Sequence, residues 1–121
     1  MAEADLYRAK ARILKAMAHP SRLIMLDALS QGEKCVCDLQ RLVGSGMSTV
    51  SRHLSVMKSA GLLEDRREGT QVFYRLRVPC ILSFFGCVEA VLKADLAART
   101  RLVGGDGSYE KAPAAPAAGE A

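Results

Sequence analysis

The residues with the most distinctive chemistry in this 121-residue chain are its four cysteines, Cys35, Cys37, Cys80 and Cys87. Thiolates bind soft metal ions and metalloids, and they react with oxidants. Cys35 and Cys37 are separated by one residue. Because residues i and i+2 do not share a face of a regular α-helix, chelation by this pair requires extended or distorted backbone. The spacing therefore predicts a thiol site at a point where regular helix is interrupted.

A helix is predicted to begin at Asp38, which places Cys37 at its cap and Cys35 just before it. The positive end of a helix favours thiolates, the form that binds soft ions. Trivalent arsenic or antimony favours three sulfur ligands, and cadmium, lead or zinc favours three or four, so two thiols are not enough. Cys80 and Cys87 are predicted to share one face of the last helix. They could complete the site across a dimer, form a site of their own, act as a redox pair, or simply be buried.

A second group of residues has the composition of a nucleic-acid-binding surface. After the turn Gly44-Ser45-Gly46, Ser48 is a good N-cap for a helix whose apolar positions are Val50, Leu54 and Met57. The opposite face presents small hydroxyl groups and one guanidinium, from Ser48, Thr49, Ser51, Arg52, Ser55 and Ser59. Hydroxyl side chains permit close approach to a major groove, and arginine reaches guanine or phosphate. This face predicts a recognition helix.

The segment after this helix predicts a basic β-hairpin. Residues 62–66 and 72–76 are its two arms, and Arg66 and Arg67 are expected at the tip, where a wing would meet phosphates or the minor groove. Residues 41–77 contain 7 basic side chains against 3 acidic ones. His53 could contact the DNA backbone or pack within the protein, and DNA is slightly favoured. His19 is expected to be structural or exposed.

The remaining elements are mostly helical. Apolar spacing predicts a first helix, and Pro20 fits the first turn of a second. Pro79 is predicted to start a last helix, whose wide apolar band suits a dimer interface. The predicted fold is mainly α with a small β-hairpin, a winged helix-turn-helix. Residues 1–103 are the predicted DNA-binding and dimerisation domain, and the Ala/Pro/Gly-rich residues 104–121 are predicted to be a disordered tail.

The net charge at pH 7 is +4, and it divides unevenly along the chain. Residues 1–103 contain 16 basic and 10 acidic side chains, a balance that suits a polyanionic partner. The sequence has no uninterrupted apolar stretch of about 18 residues and no signal-peptide pattern. We expect a cytoplasmic protein with no membrane partner, in which the cysteines are free thiols, metal ligands or redox sensors.

Three segments of the chain resemble the ArsR/SmtB family of bacterial winged-helix metalloregulators, particularly its arsenic repressors. They are residues 16–23 (AMAHPSRL), 35–39 (CVCDL), and 48–54 (STVSRHL) followed by Gly61-Leu62-Leu63. The resemblance implies a homodimer formed by the first and last helices, a recognition helix over 48–59, and release of operator DNA on inducer binding. It also implies that Cys35 and Cys37 are inducer ligands. Gln40 stands where the best-known arsenic repressors carry a third cysteine.

We therefore expect a DNA-binding transcriptional repressor that arsenite or antimonite, bound by cysteine thiolates, releases from its operator. A thiol-redox-sensing repressor of the same fold is the alternative, followed by a cadmium, lead or zinc sensor and by an architectural DNA binder with no inducer. An enzymatic role as a thiol oxidoreductase is not expected. The sequence has no C-x-x-C motif, no βαβ pattern and no substrate-pocket signature.

Overall fold

The computed structural model describes residues 2–102, so the tail predicted over 104–121 lies outside the described residues. The chain divides into two compact units, of which the first ends at Pro79 and the second begins at Cys80. The first unit contains, in chain order, α1 (Glu3–Met17), α2 (Pro20–Leu29), β1 (Lys34–Cys35), α3 (Val36–Val43), α4 (Met47–Ser59), β2 (Leu63–Glu68) and β3 (Gln71–Leu76). The predicted sequence of helix, turn, helix and hairpin is confirmed.

The strands form one antiparallel sheet in the order β1-β3-β2. Strands β2 and β3 pair from Leu63 opposite Leu76 to Glu68 opposite Gln71, and a two-residue turn joins them. Strand β1 adds to the other edge of β3, with Cys35 opposite Phe73. The sequence predicts only a hairpin, because β1 is two residues long and its pairing is not local.

Several helix ends follow local rules. Pro20 occupies the first turn of α2, and the His19 side chain caps that helix by accepting a hydrogen bond from the Ser21 amide. Gly44 ends α3 with a φ of 78°, and Gly61 follows α4 with a φ of 87°. Gly61 completes a Schellman motif, since its amide donates to the Lys58 carbonyl and the next amide donates to Met57.

The core of the first unit is almost entirely apolar. Its fully buried side chains are Met25, Leu26, Leu39, Val50, Leu54 and Met57. The inward face predicted for α4 is thus confirmed at all three apolar positions. Burial of side chains of this size stabilises a fold by roughly 1.5–3 kcal/mol each. Because this face of α4 is buried in the core, only the opposite face of the helix is accessible to a partner.

Both helices of the helix-turn-helix begin earlier than predicted. Helix α3 begins at Val36 rather than Asp38, so Cys35 is its N-cap and Cys37 lies inside its first turn. It starts there because the sheet holds Cys35 extended, with φ −82° and ψ 159°. Helix α4 begins at Met47 with Gly46 as its N-cap, because the Val50 amide donates to the Gly46 carbonyl. The prediction that Ser48 caps this helix is wrong.

The hairpin tip also differs from the prediction. Arg66 and Arg67 lie inside β2, opposite Phe73 and Val72, and the turn is made by Gly69 and the residue after it. Gly69 has a φ of 65°, so the chain reverses later than the sequence suggests. The placement of Arg66 and Arg67 at the tip is therefore wrong, although both remain on the wing.

The second unit contains a long helix preceded by a tighter turn. A 3₁₀ helix covers Pro79–Leu82, and α5 covers Phe85–Leu102. Ser83 and Phe84 separate this turn from α5, and the Ser83 amide donates to the Cys80 carbonyl three residues back. The predictions that the last helix starts at Pro79 and that Cys80 and Cys87 share one of its faces are wrong. Among the described residues, no helix is both long and apolar enough to cross a membrane.

Candidate functional site: the helix-turn-helix, the wing and the thiol pair

The turn between α3 and α4 is fixed by hydrogen bonds from both sides. The Gly44 amide donates to the Gln40 carbonyl at 2.8 Å. The Gln40 side-chain amide donates to the Ser45 carbonyl at 2.9 Å. Gln40 therefore ties the end of α3 to the residues just before α4. A side chain that cannot donate this bond, such as cysteine, would leave the turn less restrained.

The face of α4 opposite the core is polar and accessible. Ser48, Ser51, Arg52 and Ser55 are exposed, and Thr49 is half-buried. Ser59 extends this face to the end of the helix. These side chains lie on the face predicted for DNA contact, which carries no acidic residue and has one long side chain, Arg52.

His53 does not belong to this face. Its side chain is buried, with 4% of the residue accessible, and its ring lies 4.4 Å from the His19 ring, centroid to centroid. Arg22 Nε donates to His53 Nδ1 at 3.0 Å. The preference for a DNA-contacting His53 is therefore wrong. Its spacing already favoured burial, since His53 follows Val50 by three residues and precedes Met57 by four.

The surroundings of His53 are electropositive. Its pKa is lowered from the ordinary histidine value, first by burial and then by His19, Arg22 and Arg52. The neutral ring is also the form that can accept the Arg22 hydrogen bond at Nδ1. His19 has a structural role as predicted, because it caps α2 and packs on His53. The Arg22–His53 contact, which joins α2 to α4, was not found from the sequence.

On the wing, the two arginines have different environments. Arg66 donates to both carboxylate oxygens of Glu33 at 2.7–3.1 Å and to Glu68 at 2.6 Å, and it lies 4.6 Å from the Phe73 ring centroid. Its hydrogen bonds lower the pKa of Glu33 and raise that of Arg66. Arg67 is exposed and makes no ion pair with any described residue. Of the two, Arg67 is the one whose charge is available to a phosphate.

The thiol pair lies where the sheet meets α3. Cys35 is half-buried at the end of β1, and Cys37 is exposed in the first turn of α3. The extended backbone that the i, i+2 spacing requires is present at Cys35. Cys80 and Cys87 are exposed, and all four cysteines are free thiols. Within residues 2–102, no three His, Cys, Asp or Glu side chains form a group that could hold a metal ion.

Comparison with known proteins places this arrangement in a family. Residues 19–65 match the family described as bacterial regulatory protein, arsR family. The uncharacterized HTH-type transcriptional regulator Rv0081 of Mycobacterium tuberculosis is 31% identical over 104 residues, which cover 85% of this chain and 91% of that protein. The chain belongs to the ArsR family.

Solved ArsR-family structures also share the fold. The homodimeric winged helix-turn-helix DNA-binding domain of Mb0332 from Mycobacterium bovis, a possible ArsR-family transcriptional regulator, is 36% identical with a TM-score of 0.67. That similarity covers 81% of this chain and 93% of the Mb0332 domain. The predicted winged helix-turn-helix fold, mainly helical with a small sheet, is confirmed.

Other ArsR-family similarities are partial. The biofilm growth-associated repressor of Xylella fastidiosa is 41% identical over 66 residues, which cover 54% of this chain and 58% of that protein. The chain spans between 38% and 58% of the length of the first curated relatives that it matches. The similarity to these relatives therefore does not extend over their whole length.

Proposed function

We propose that this ArsR-family chain is a homodimeric DNA-binding transcriptional repressor. The observation that carries the proposal is the exposed face of α4, on which hydroxyl groups and Arg52 project from a helix held by a fixed turn. A helix with short side chains enters the major groove closely, and Arg52 contacts guanine or phosphate there. The X. fastidiosa relative is named a repressor, which supports repression rather than activation of transcription.

The wing adds a second contact to DNA. Strands β2 and β3 follow α4 directly, so the hairpin lies beside the recognition helix in the chain. Arg67 supplies an unpaired cation to the phosphates or the minor groove. Arg66 is held by Glu33, and its contribution to DNA binding is therefore smaller than the sequence alone suggests.

Dimerisation through α1 and α5 is part of the proposal. Each helix exposes large apolar side chains, which are Leu6, Tyr7 and Leu14 on α1 and Val88, Val91, Leu92 and Leu96 on α5. Exposed apolar bands of this kind mark interaction surfaces. Two-fold symmetry would present two α4 helices to two half-sites about one helical turn apart. The Mb0332 domain is itself homodimeric.

We further propose that a thiophilic ligand at Cys35 and Cys37 controls DNA binding, with arsenite and antimonite as the leading inducers. The pair supplies two of the three sulfurs that these metalloids favour. A third donor would come from Cys80 or Cys87 across the dimer or from a small free thiol, and a monosubstituted arsenical would need only the pair. Divalent cadmium, lead or zinc favours three or four ligands and is a weaker candidate.

The position of the pair explains how a ligand would reach the DNA-binding elements. Cys35 is paired with Phe73 in the wing, and Cys37 belongs to the first turn of α3. Drawing the two sulfurs together would therefore strain both the sheet and the helix-turn-helix. The ligand shifts the dimer from its DNA-binding form if it binds that form less tightly. Oxidation of the same thiols, which is the second candidate, would act through the same elements.

Fluorescence anisotropy of a labelled copy of the promoter nearest the gene tests the proposal. Reduced protein is expected to bind it tightly and in a salt-sensitive manner, and Arg52→Gln to weaken binding. Arsenite or antimonite is expected to release the DNA from wild type and not from Cys35→Ser or Cys37→Ser. Cys80→Ser and Cys87→Ser show whether either thiol supplies the third sulfur. Release by oxidants that reductant reverses would identify the redox alternative, and absence of sequence-specific binding would contradict the repressor.

A further inference from the structure

A groove between α1 and α4 in the first unit gathers cations from three helices. Arg12 and Lys15 come from α1, Arg22 from α2 and Arg52 from α4. Ser55 and Ser59 of α4 line the same groove, whereas no carboxylate does. The remaining lining is small or apolar. We call these six residues the basic groove.

The charges of the basic groove are not compensated. Elsewhere in the first unit, arginines and lysines such as Arg41, Lys58 and Arg75 form ion pairs with neighbouring carboxylates. Among the described residues, none of the four groove cations makes such a pair. Arg22 and Arg52 lie close enough for Arg52 to lower the pKa of Arg22, after the larger effect of burial. Like charges held together in this way attract a polyanion.

The position of Arg22 is fixed rather than adaptable. Its Nε donates to His53, and its Nη1 donates to the Ala16 carbonyl at 3.4 Å. These two hydrogen bonds hold the Arg22 guanidinium near Arg52. An anion seated between the two guanidiniums would replace repulsion by attraction without reorganising the protein.

We propose that the basic groove binds the phosphate backbone of DNA beside the major groove that α4 enters, so that α1 is part of the DNA-binding surface. Arg52, Ser55 and Ser59 belong both to the groove and to the exposed face of α4. A duplex on that face therefore continues into the groove. Contacts of this kind position the protein and carry no sequence information. The inference rests on the proposed DNA-binding function.

The salt dependence of DNA binding tests the groove. In Arg12→Gln/Lys15→Gln, which removes two groove cations from each protomer of the dimer, the slope of log affinity against log salt is expected to fall in magnitude by about 4, since each lost phosphate contact removes about 0.9. This corresponds to roughly 1,000-fold weaker binding at 0.15 M salt, relative to no effect at 1 M. Promoter and scrambled DNA are expected to be weakened by equal factors. Arg8→Gln/Lys10→Gln removes the same charge from α1 outside the groove and is expected to leave the slope unchanged.

The outcomes separate this inference from the function on which it rests. Equal slopes for the groove and control variants, while wild type binds and Arg52→Gln weakens binding, would overturn the groove and keep the repressor. Weaker binding without a change of slope would also overturn it, because that result indicates a structural effect on α1. Absence of DNA binding by wild type would contradict both the groove inference and the proposed repressor function. If the double variant melts early, Lys15→Gln alone, which removes one cation from each protomer, is expected to reduce the slope by about 2.

Discussion

At the residue scale, the contact between His53 and Arg22 joins two segments that are far apart in the sequence. Arg22 lies in α2 and His53 in α4, and the hydrogen bond between them requires a neutral imidazole. His53 is the one buried polar side chain among the described residues, and it is thus held in the core by a proton-sensitive bond. His19, Arg22 and Arg52 all face the ring and oppose its protonation.

This arrangement predicts a loss of stability on acidification. The pKa of His53 is lowered in the folded protein, so the unfolded chain takes up the proton at a higher pH. The free energy of unfolding is therefore expected to fall as pH decreases through the ordinary histidine range near 6.5 and below. Urea unfolding at several pH values measures this. His53→Gln removes the titrating group, and an unchanged pH slope in that variant would refute the assignment to His53.

At the scale of elements, β1 and α3 meet at Cys35, a residue type that is a poor helix N-cap. Cys35 is the N-cap of α3, and its side chain makes no capping hydrogen bond. Serine at the same position can accept a bond from the first turn of the helix. A poor cap at the start of the helix-turn-helix is consistent with retention of the thiol for ligand binding.

The change Cys35→Ser is accordingly expected to stabilise the reduced protein by roughly 0.5–1 kcal/mol while abolishing the response to arsenite. Cys37→Ser is the matched control. Its side chain is exposed inside the first turn, and its effect on stability is expected to stay within about 0.5 kcal/mol. The free energy of urea unfolding under reducing conditions distinguishes the two. Equal stabilities of the two variants would contradict the capping argument.

At the scale of the whole molecule, the proposed function requires two copies of α4. The apolar side chains of α5 are the strongest indication of how the copies associate, since Val91 and Leu92 are more than 60% exposed. An unpartnered helix seldom presents two adjacent apolar side chains of this size to water. The second unit is thus expected to mediate dimerisation rather than to contact DNA directly.

The double change Val91→Glu/Leu92→Glu is expected to convert the dimer to monomers and to weaken operator binding by at least tenfold. The loss arises because one half-site contact no longer assists the other. Light scattering and anisotropy measure the two effects, and circular dichroism checks that helix content is retained. Lys93→Glu places a carboxylate on the neighbouring exposed position as a control. A dimer that persists in the double variant would exclude this face of α5.

The sequence by itself determined the helix-turn-helix, the inward face of α4 and the turns at Gly44 and Gly61. These features depend on spacing within one or two turns of chain and on the few residues that tolerate positive φ. It also determined the location of the thiol pair and the need for extended backbone there. The resemblance of short segments to a family then implied a function that composition alone did not.

Only the tertiary structure decided which side chains remain accessible for binding a ligand or DNA. Pairing of β1 with β3 moved the start of α3 to Val36, and Arg66 is neutralised by Glu33, 33 residues away. Burial placed His53 in the core, and the packing of α1 on α4 brought Arg12 and Arg52 into one groove. Each of these outcomes depends on contacts between residues distant in the chain. A local sequence pattern cannot predict these contacts, because the residues involved meet only when the chain has folded around its core.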